Sequence, residues 1–277
     1  TNMAKALIVG IGEYPFRDFS IHGDSDASFF ANELVSLRPN IFTKDNVRLL
    51  LNSRATLKNI NERLDWLLNN AKQNEPLVFY FSGGAALVTG REESGDVSGQ
   101  AEPCLVPYDV EDTKAILLSS ILSPLRGSTA KLTVIIDCAF EYYGTYAKHG
   151  DNLALTIEDY LDKAQAKVVC PPVDVAFRRA DKPWSKVALK MNRRGVLFYP
   201  GGDNPTVTPM TLTSTKAGGR SGSLFTDFLC NAFDSNKNAS YLDAYNAILK
   251  LAASRTATFT PRISFGSEDM KTSIIFT

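Results

Sequence analysis

Two histidines, His22 and His149, are all the imidazole in this 277-residue chain. That scarcity limits any chemistry built on a histidine base, because no other side chain changes charge near neutral pH without help from its surroundings. Charge of neither sign is in excess. The 30 Lys and Arg balance the 30 Asp and Glu, so nothing global draws the chain to nucleic acid or to an anionic membrane. Apolar runs are short. None approaches the roughly 18–20 residues that span a bilayer, and Leu7-Ile8-Val9 has the length of a strand rather than of a signal-peptide core. Cysteine is sparse as well. Cys104, Cys138, Cys170 and Cys230 lie far apart and match no metal spacing, which predicts buried thiols in a reducing compartment, the cytoplasm. What is present is an ordinary 44% of apolar and 22% of charged residues, enough for one large α/β domain or two small ones.

Apolar, β-rich runs alternate with helical patterns along the chain. The first run is Ala6-Leu7-Ile8-Val9-Gly10. A helix is predicted over 27–35, with Asp24 or Ser25 as its cap and Phe30 and Leu34 on one face. Asn46–Leu51 reads as a second strand, and Thr56 then caps a helix carrying Ile60, Leu64, Leu67 and Leu68 at helical spacing. Two further strands are Leu77–Phe81, running into Ser82, and Leu132–Ile136, running into Asp137, with a helix-like stretch from Ala115 to Leu125 between them. Gly195–Tyr199 is another strand. Helices near Ser223–Phe233 and Tyr241–Ala253 follow, and Arg262–Phe265 and Ser273–Phe276 read as edge strands. Residues 89–100 are rich in Gly, Ser, Glu and Asp and predict a mobile loop, and the basic stretch Ala176–Arg194 reads as a solvated face. Strands apolar on both faces and separated by helices predict a mostly parallel sheet with helices on each side. Ligand crevices in such sheets lie beyond the carboxyl ends of the strands, where Ser82 and Asp137 fall.

Several segments, in order, resemble the metacaspases and caspase-like cysteine peptidases. Lys5–Tyr14 resembles the opening strand, and Gly23-Asp24-Ser25-Asp26-Ala27 resembles the Gly-x-x-(Asn)-Asp-Ala turn. Ala55-Thr56-x-x-Asn59-Ile60 with Leu64-x-Trp66-Leu67 is similar to the second helix. Glu102–Asp109 is similar to the segment before the nucleophile strand, and Gly222-Ser223-Leu224-Phe225-Thr226 to the Gly-x-Phe-Thr stretch of the small-subunit region. The resemblance implies a caspase-like α/β fold, a three-layer sandwich with a central, mostly parallel six-stranded sheet flanked by helices. It implies a single domain over 1–277, with a large-subunit-like region at 1–175, a basic linker at 176–194 and a small-subunit-like region at 195–277.

The two catalytic turns of the family read Ser-Gly-His-Gly and Asp-x-Cys-His-Ser-Gly. Here they read Ser82-Gly83-Gly84-Ala85 and Asp137-Cys138-Ala139-Phe140. Gly84 stands where the base would be and Ala139 where the nucleophile would be. A Cys–His peptidase needs a thiolate and an imidazole within hydrogen-bond reach, and neither residue can supply one. Several neighbours differ at both turns, which points to natural divergence rather than a single engineered knockout. The resemblance carries over a second set of residues. Asp26, Ser82 and Asp137 match the family pocket that accepts an Arg or Lys side chain, and two carboxylates with a hydroxyl suit a guanidinium through charge-assisted paired hydrogen bonds. The plainer reading is that Asp26 and Asp137 cap local helices or turns.

Cys138 sits one position before the family nucleophile, so its side chain should point to the opposite face of the strand, into the core. His149 lies in a polar turn, and His22 adjoins the Asp24/Asp26 turn as a supporting partner or an ordinary surface residue. Tyr142, Tyr143 and Tyr146 follow the vacated nucleophile, as cleft filling, an interface or sheet-edge packing. Some metacaspases bind calcium. Acidic residues are available at Asp109-Val110-Glu111-Asp112 and around Asp96, but no EF-hand pattern is present and no site is placed, so no cofactor is expected. The function expected is that of a pseudopeptidase, a binding or regulatory module whose partner is a basic peptide or protein or an active caspase-like paralogue, with no nucleic acid and no membrane. The alternative is a cysteine endopeptidase rebuilt around Cys138 and His149. A third reading, a generic α/β binding domain, requires that the strands ending at Ser82 and Asp137 not be neighbours.

Overall fold

The apolar runs become the strands of a central sheet in the computed structural model, which describes residues 4–15, 20–91, 97–109, 116–125, 127–138, 178–179, 191–200, 209–212, 220–254 and 260–277. In chain order the first half contains β1 (Lys5–Gly10), α1 (Gly23–Leu37), β2 (Val47–Leu51), α2 (Leu57–Leu68), β3 (Pro76–Ser82), β4 (Ala85–Arg91), β5 (Val97–Leu105), β6 (Ile116–Leu117), α3 (Leu118–Leu122) and β7 (Lys131–Asp137). The second half contains β8 (Arg178–Arg179), β9 (Gly195–Tyr199), β10 (Pro209–Leu212), β11 (Arg220–Ser223), α4 (Leu224–Ser235), α5 (Tyr241–Ser254), β12 (Arg262–Phe265) and α6 (Asp269–Thr272).

Six strands form the central sheet in the order β12-β9-β7-β3-β1-β2. β2, β1, β3, β7 and β9 run parallel, and β12 pairs antiparallel with β9. Every residue of β3 is buried, so its two faces alternate into two separate cores. Leu77, Phe79 and Phe81 join Ile60, Leu64 and Leu67 of α2 and Ile121 of α3. Val78 and Tyr80 join Phe30 and Leu34 of α1, Phe228 of α4 and Ile248 of α5. The result is a helix–sheet–helix sandwich, the three-layer α/β arrangement expected of a caspase-like domain.

Local signals explain most elements. Thr56 caps α2 by accepting a hydrogen bond from the Asn59 backbone N–H at 3.2 Å, and the buried Ile60, Leu64, Leu67 and Leu68 form one stripe. α4 and α5 fall where the periodicity puts them. Four expectations change. α1 begins at Gly23, ahead of Asp24 and Ser25; its N-cap is His22 in the left-handed region at φ 58°, with no side-chain cap. Ile116 and Leu117 pair with β5 instead of opening a helix, and the short α3 gives way to a 3-10 turn at Ser123–Leu125, where Pro124 has no N–H to donate. The Gly- and Ser-rich stretch expected to be a mobile loop lies largely in the β4–β5 antiparallel hairpin; ladder pairing overrides a composition that reads as loop. Ser273–Phe276 is a turn with a single bridge, Ser240 to Ile274, rather than a strand. Phe276 holds φ 56°, outside the β region, and it and Ile275 are buried in the core. Within the basic stretch, Arg178–Arg179 pair with β4 as β8; residues 180–190 lie outside the described residues.

Candidate binding site at the strand ends

The α1 side of the strand ends is tightly built. A Cβ at Gly23 would lie 2.4 Å from the Ser82 carbonyl oxygen and 2.5 Å from that of Ile11. Only glycine lets the start of α1 approach β3 this closely, and that approach aims Asp26 at the end of β3. Ser82 pairs directly with Asp137 across the β3–β7 ladder. The two strands are therefore neighbours, which removes the generic α/β reading. Asp26, Ser82 and Asp137 come together, and each is 0% exposed.

A contribution from the far end of the chain completes the group. Ser82 donates its hydroxyl to Asp26 Oδ2 at 3.3 Å, and the Ser223 backbone N–H donates to Asp26 Oδ1 at 2.8 Å. Ser223 Oγ donates to Asp137 Oδ1 at 2.9 Å, and Thr226 Oγ1 donates to Asp137 Oδ2 at 2.7 Å. Ser223 is also the N-cap of α4, since its Oγ accepts the N–H groups of Phe225 and Thr226 at 3.0 and 3.4 Å. Asp26 and Asp137 are thus joined to the start of a helix nearly 200 positions from Asp26, the Asp26–Ser223 separation being 197 residues. The positive end of the α4 dipole favours carboxylates there.

Tyr80 closes the chain of donors. Its hydroxyl lies 2.6 Å from Thr226 Oγ1. Burial, followed by the Asp137 and Asp26 charges, holds the Tyr80 phenol well above the ordinary tyrosine range, so it stays protonated. Thr226 spends its only proton on Asp137, so Tyr80 must donate to Thr226. The Tyr80 ring is held in place by stacking on Phe30 of α1, with centroids 4.5 Å apart. The donors Ser223, Thr226 and Tyr80 were not among the expected site residues. One signal was available: a serine directly before the apolar start of a helix is an N-cap pattern.

The neighbouring turn, at Gly84, is closed by backbone and a phenol. Gly84 N–H donates to Tyr14 Oη at 2.8 Å, Tyr14 donates to the Val106 carbonyl at 2.8 Å, and Val106 N–H donates back to the Gly84 carbonyl at 2.9 Å. Gly84 and Tyr14 are both buried.

Residues 5–145, just over half of the chain and including both strand-end turns, match the family model described as Metacaspase, peptidase C14 domain. The chain belongs to the metacaspase family. Solved structures share the fold across nearly the whole of it. A crystal structure of protein GSU0716 from Geobacter sulfurreducens is 15% identical, with a TM-score of 0.62 and coverage of 99% of this chain and 98% of the other. A structure titled pro-sf-caspase-1 is 10% identical, with a TM-score of 0.52 and coverage of 96% and 89%. A search of curated proteins found no match.

Other expected residues of this metacaspase-family chain divide clearly. Cys138 is 0% exposed and belongs to the core on the α2 side, the face opposite Asp137. Cys104 and Cys230 are likewise buried thiols. His22 is half-buried at the α1 N-cap, its N–H donating to Ser20 Oγ at 3.1 Å. Ala139, Tyr142, Tyr143, Tyr146, His149 and Cys170 lie outside the described residues. Of the acidic residues considered for calcium, Asp109 accepts the Leu57 N–H at 2.7 Å as a second cap on α2; Asp96 and 110–112 lie outside the described residues. No group of three or more His, Cys, Asp or Glu able to hold a metal is present among the described residues. No helix among them is long and apolar enough to cross a membrane.

Proposed function

We propose that this chain is a non-catalytic member of the metacaspase family, a peptidase-fold module that binds or regulates and does not cleave. The observation that carries the reading is Gly84. The family's base position has no side chain, and its backbone is tied into the Tyr14–Val106 ring. Ala139 at the nucleophile position has no thiol to ionise. The rebuilt-peptidase alternative has less support, because it asks for a reactive thiolate from Cys138, whose thiol is buried in an apolar core, the setting that suppresses thiolate formation.

The partner we propose presents a basic side chain to Asp26, Ser82 and Asp137. Two carboxylates held within one hydrogen-bonded group match a guanidinium in charge and in its paired-donor geometry. Such a partner is an arginine-bearing peptide or protein, or the basic segment of an active paralogue.

Hydrolysis of fluorogenic Arg, Lys and Asp peptides, with and without calcium, tests the absence of catalysis. No turnover is expected in any condition. Turnover that vanishes in Cys138→Ala would overturn the reading and transfer the chemistry to that cysteine.

A further inference from the structure

We infer that the Ser223–Thr226 start of α4 is an intramolecular plug on the Asp26–Asp137 carboxylates, competing directly with any basic side chain for the same oxygen atoms. The inference rests on the proposed basic-partner reading and deepens it into regulation of that site. All four carboxylate oxygens already accept a donor from the chain itself. Ser82 and the Ser223 N–H take the two oxygens of Asp26, and the hydroxyls of Ser223 and Thr226 take the two of Asp137. Three of these four donors come from one short segment at the junction of β11 and α4. Each carboxylate oxygen keeps a second lone pair, but Asp26, Asp137, Ser223 and Thr226 are all 0% exposed, so a guanidinium reaches these acceptors only by displacing the segment.

One end of the segment lies outside the central sheet. β11 pairs with β10 in a two-stranded ribbon separate from the central sheet, and a two-stranded ribbon is marginally stable by itself. Ser82 and Asp137, by contrast, sit on adjacent central strands of the six-stranded sheet. The two Ser223 donors sit on the last residue of that ribbon, whereas Thr226 lies in α4, whose Phe225, Phe228 and Leu229 are buried in the core. Ser223 links site and helix, because the oxygen that donates to Asp137 also caps α4 through Phe225 and Thr226. Occupation of the carboxylates by a partner therefore uncaps α4, and that change is the signal the site would transmit. The coupling is reciprocal: weakening the plug tightens binding of the basic group, and binding loosens the plug.

The test uses Nα-acetyl-arginine amide as the probe and its citrulline counterpart as the neutral control, measured by calorimetry on the full chain. Ser223→Ala and the near-isosteric Thr226→Val each remove one hydroxyl that donates to Asp137. Each variant is expected to bind the arginine probe about tenfold more tightly than the unmodified chain, the equivalent of one hydrogen bond to a charged group, with no gain for citrulline. On the unmodified chain, saturating probe is expected to speed amide exchange of Phe225 and Thr226, which needs no variant to fold. Unchanged affinity in both variants, with binding still lost in Asp26→Ala, would overturn the plug and leave the basic-partner reading standing. No binding of the arginine probe to any form would overturn both.

Discussion

β3 and β7 contribute to two faces of one sheet, and the two faces differ in kind. Toward α2 and α3 they present Leu77, Phe79 and Phe81 with Leu132, Val134 and Ile136, all in one apolar core. Toward α1, α4 and α5 the same strands present Val78, Tyr80 and Ser82 with Thr133, Ile135 and Asp137. The first face is held by area, which carries no direction. The second is held partly by directional bonds: Asp26 and Asp137 to the start of α4, Tyr80 to Thr226, and Thr133 to Tyr241 at the start of α5. A fully satisfied buried polar network fixes one arrangement of the elements it joins. The helices from the end of the chain are thus docked by polar groups that accept one geometry, whereas α2 is docked by hydrocarbon.

The largest expected effect comes from the apolar face. Phe79→Ala should cost about 3–5 kcal/mol in urea unfolding, through lost burial and the cavity left behind. A loss below about 1 kcal/mol would mean that this face does not depend on close filling. Next comes Asp137→Ala, expected to cost about 3 kcal/mol through two lost hydrogen bonds to a charged acceptor. Its loss should be uneven, with amide exchange in α4 rising more than in α2; equal rises in the two helices would erase the contrast between the faces. The smallest effect is Tyr80→Phe, about 1 kcal/mol at neutral pH, and its sign depends on pH. The folded-state phenol titrates above the ordinary tyrosine value, for burial first and the carboxylates second. The stability it contributes is complete below about pH 10, the unfolded tyrosine value, and is lost as pH rises through the folded value. The native chain should therefore lose stability in alkali more steeply than Tyr80→Phe. Tyr241, also raised by burial, keeps part of that slope in the variant. Superimposable stability curves from pH 7 to 11 would count against this account.

What the residues show in order, without the fold, follows the same division. Continuous apolar runs mark β1, β3, β7 and β9, because strands buried on both faces need hydrocarbon at every position. Thr56 and the Ile60–Leu64–Leu67–Leu68 stripe mark α2, because caps and helical spacing are local. Asp26, Ser82 and Asp137 could be gathered in advance from the strand-end rule and the family motifs. Their donors could not. Ser223 is 86 residues from Asp137, and no local pattern announces a hydrogen bond across that distance. The β4–β5 hairpin was hidden for a related reason: its Gly- and Ser-rich composition reads as loop, and only the partner strand makes it a ladder.

The hydrogen bonds at the strand ends also decide what would happen to a severed chain. β9 lies between β7 and β12, and the Ser223–Asp26 and Ser223–Asp137 bonds join residues from opposite sides of 138–195. A backbone cut within that interval would yield two fragments that share one sheet, one core and one buried polar group. They would travel as a single particle through a sizing column and separate only in denaturant. Their reassembly would become dependent on concentration, so the integrity of the particle would no longer report the integrity of the polypeptide.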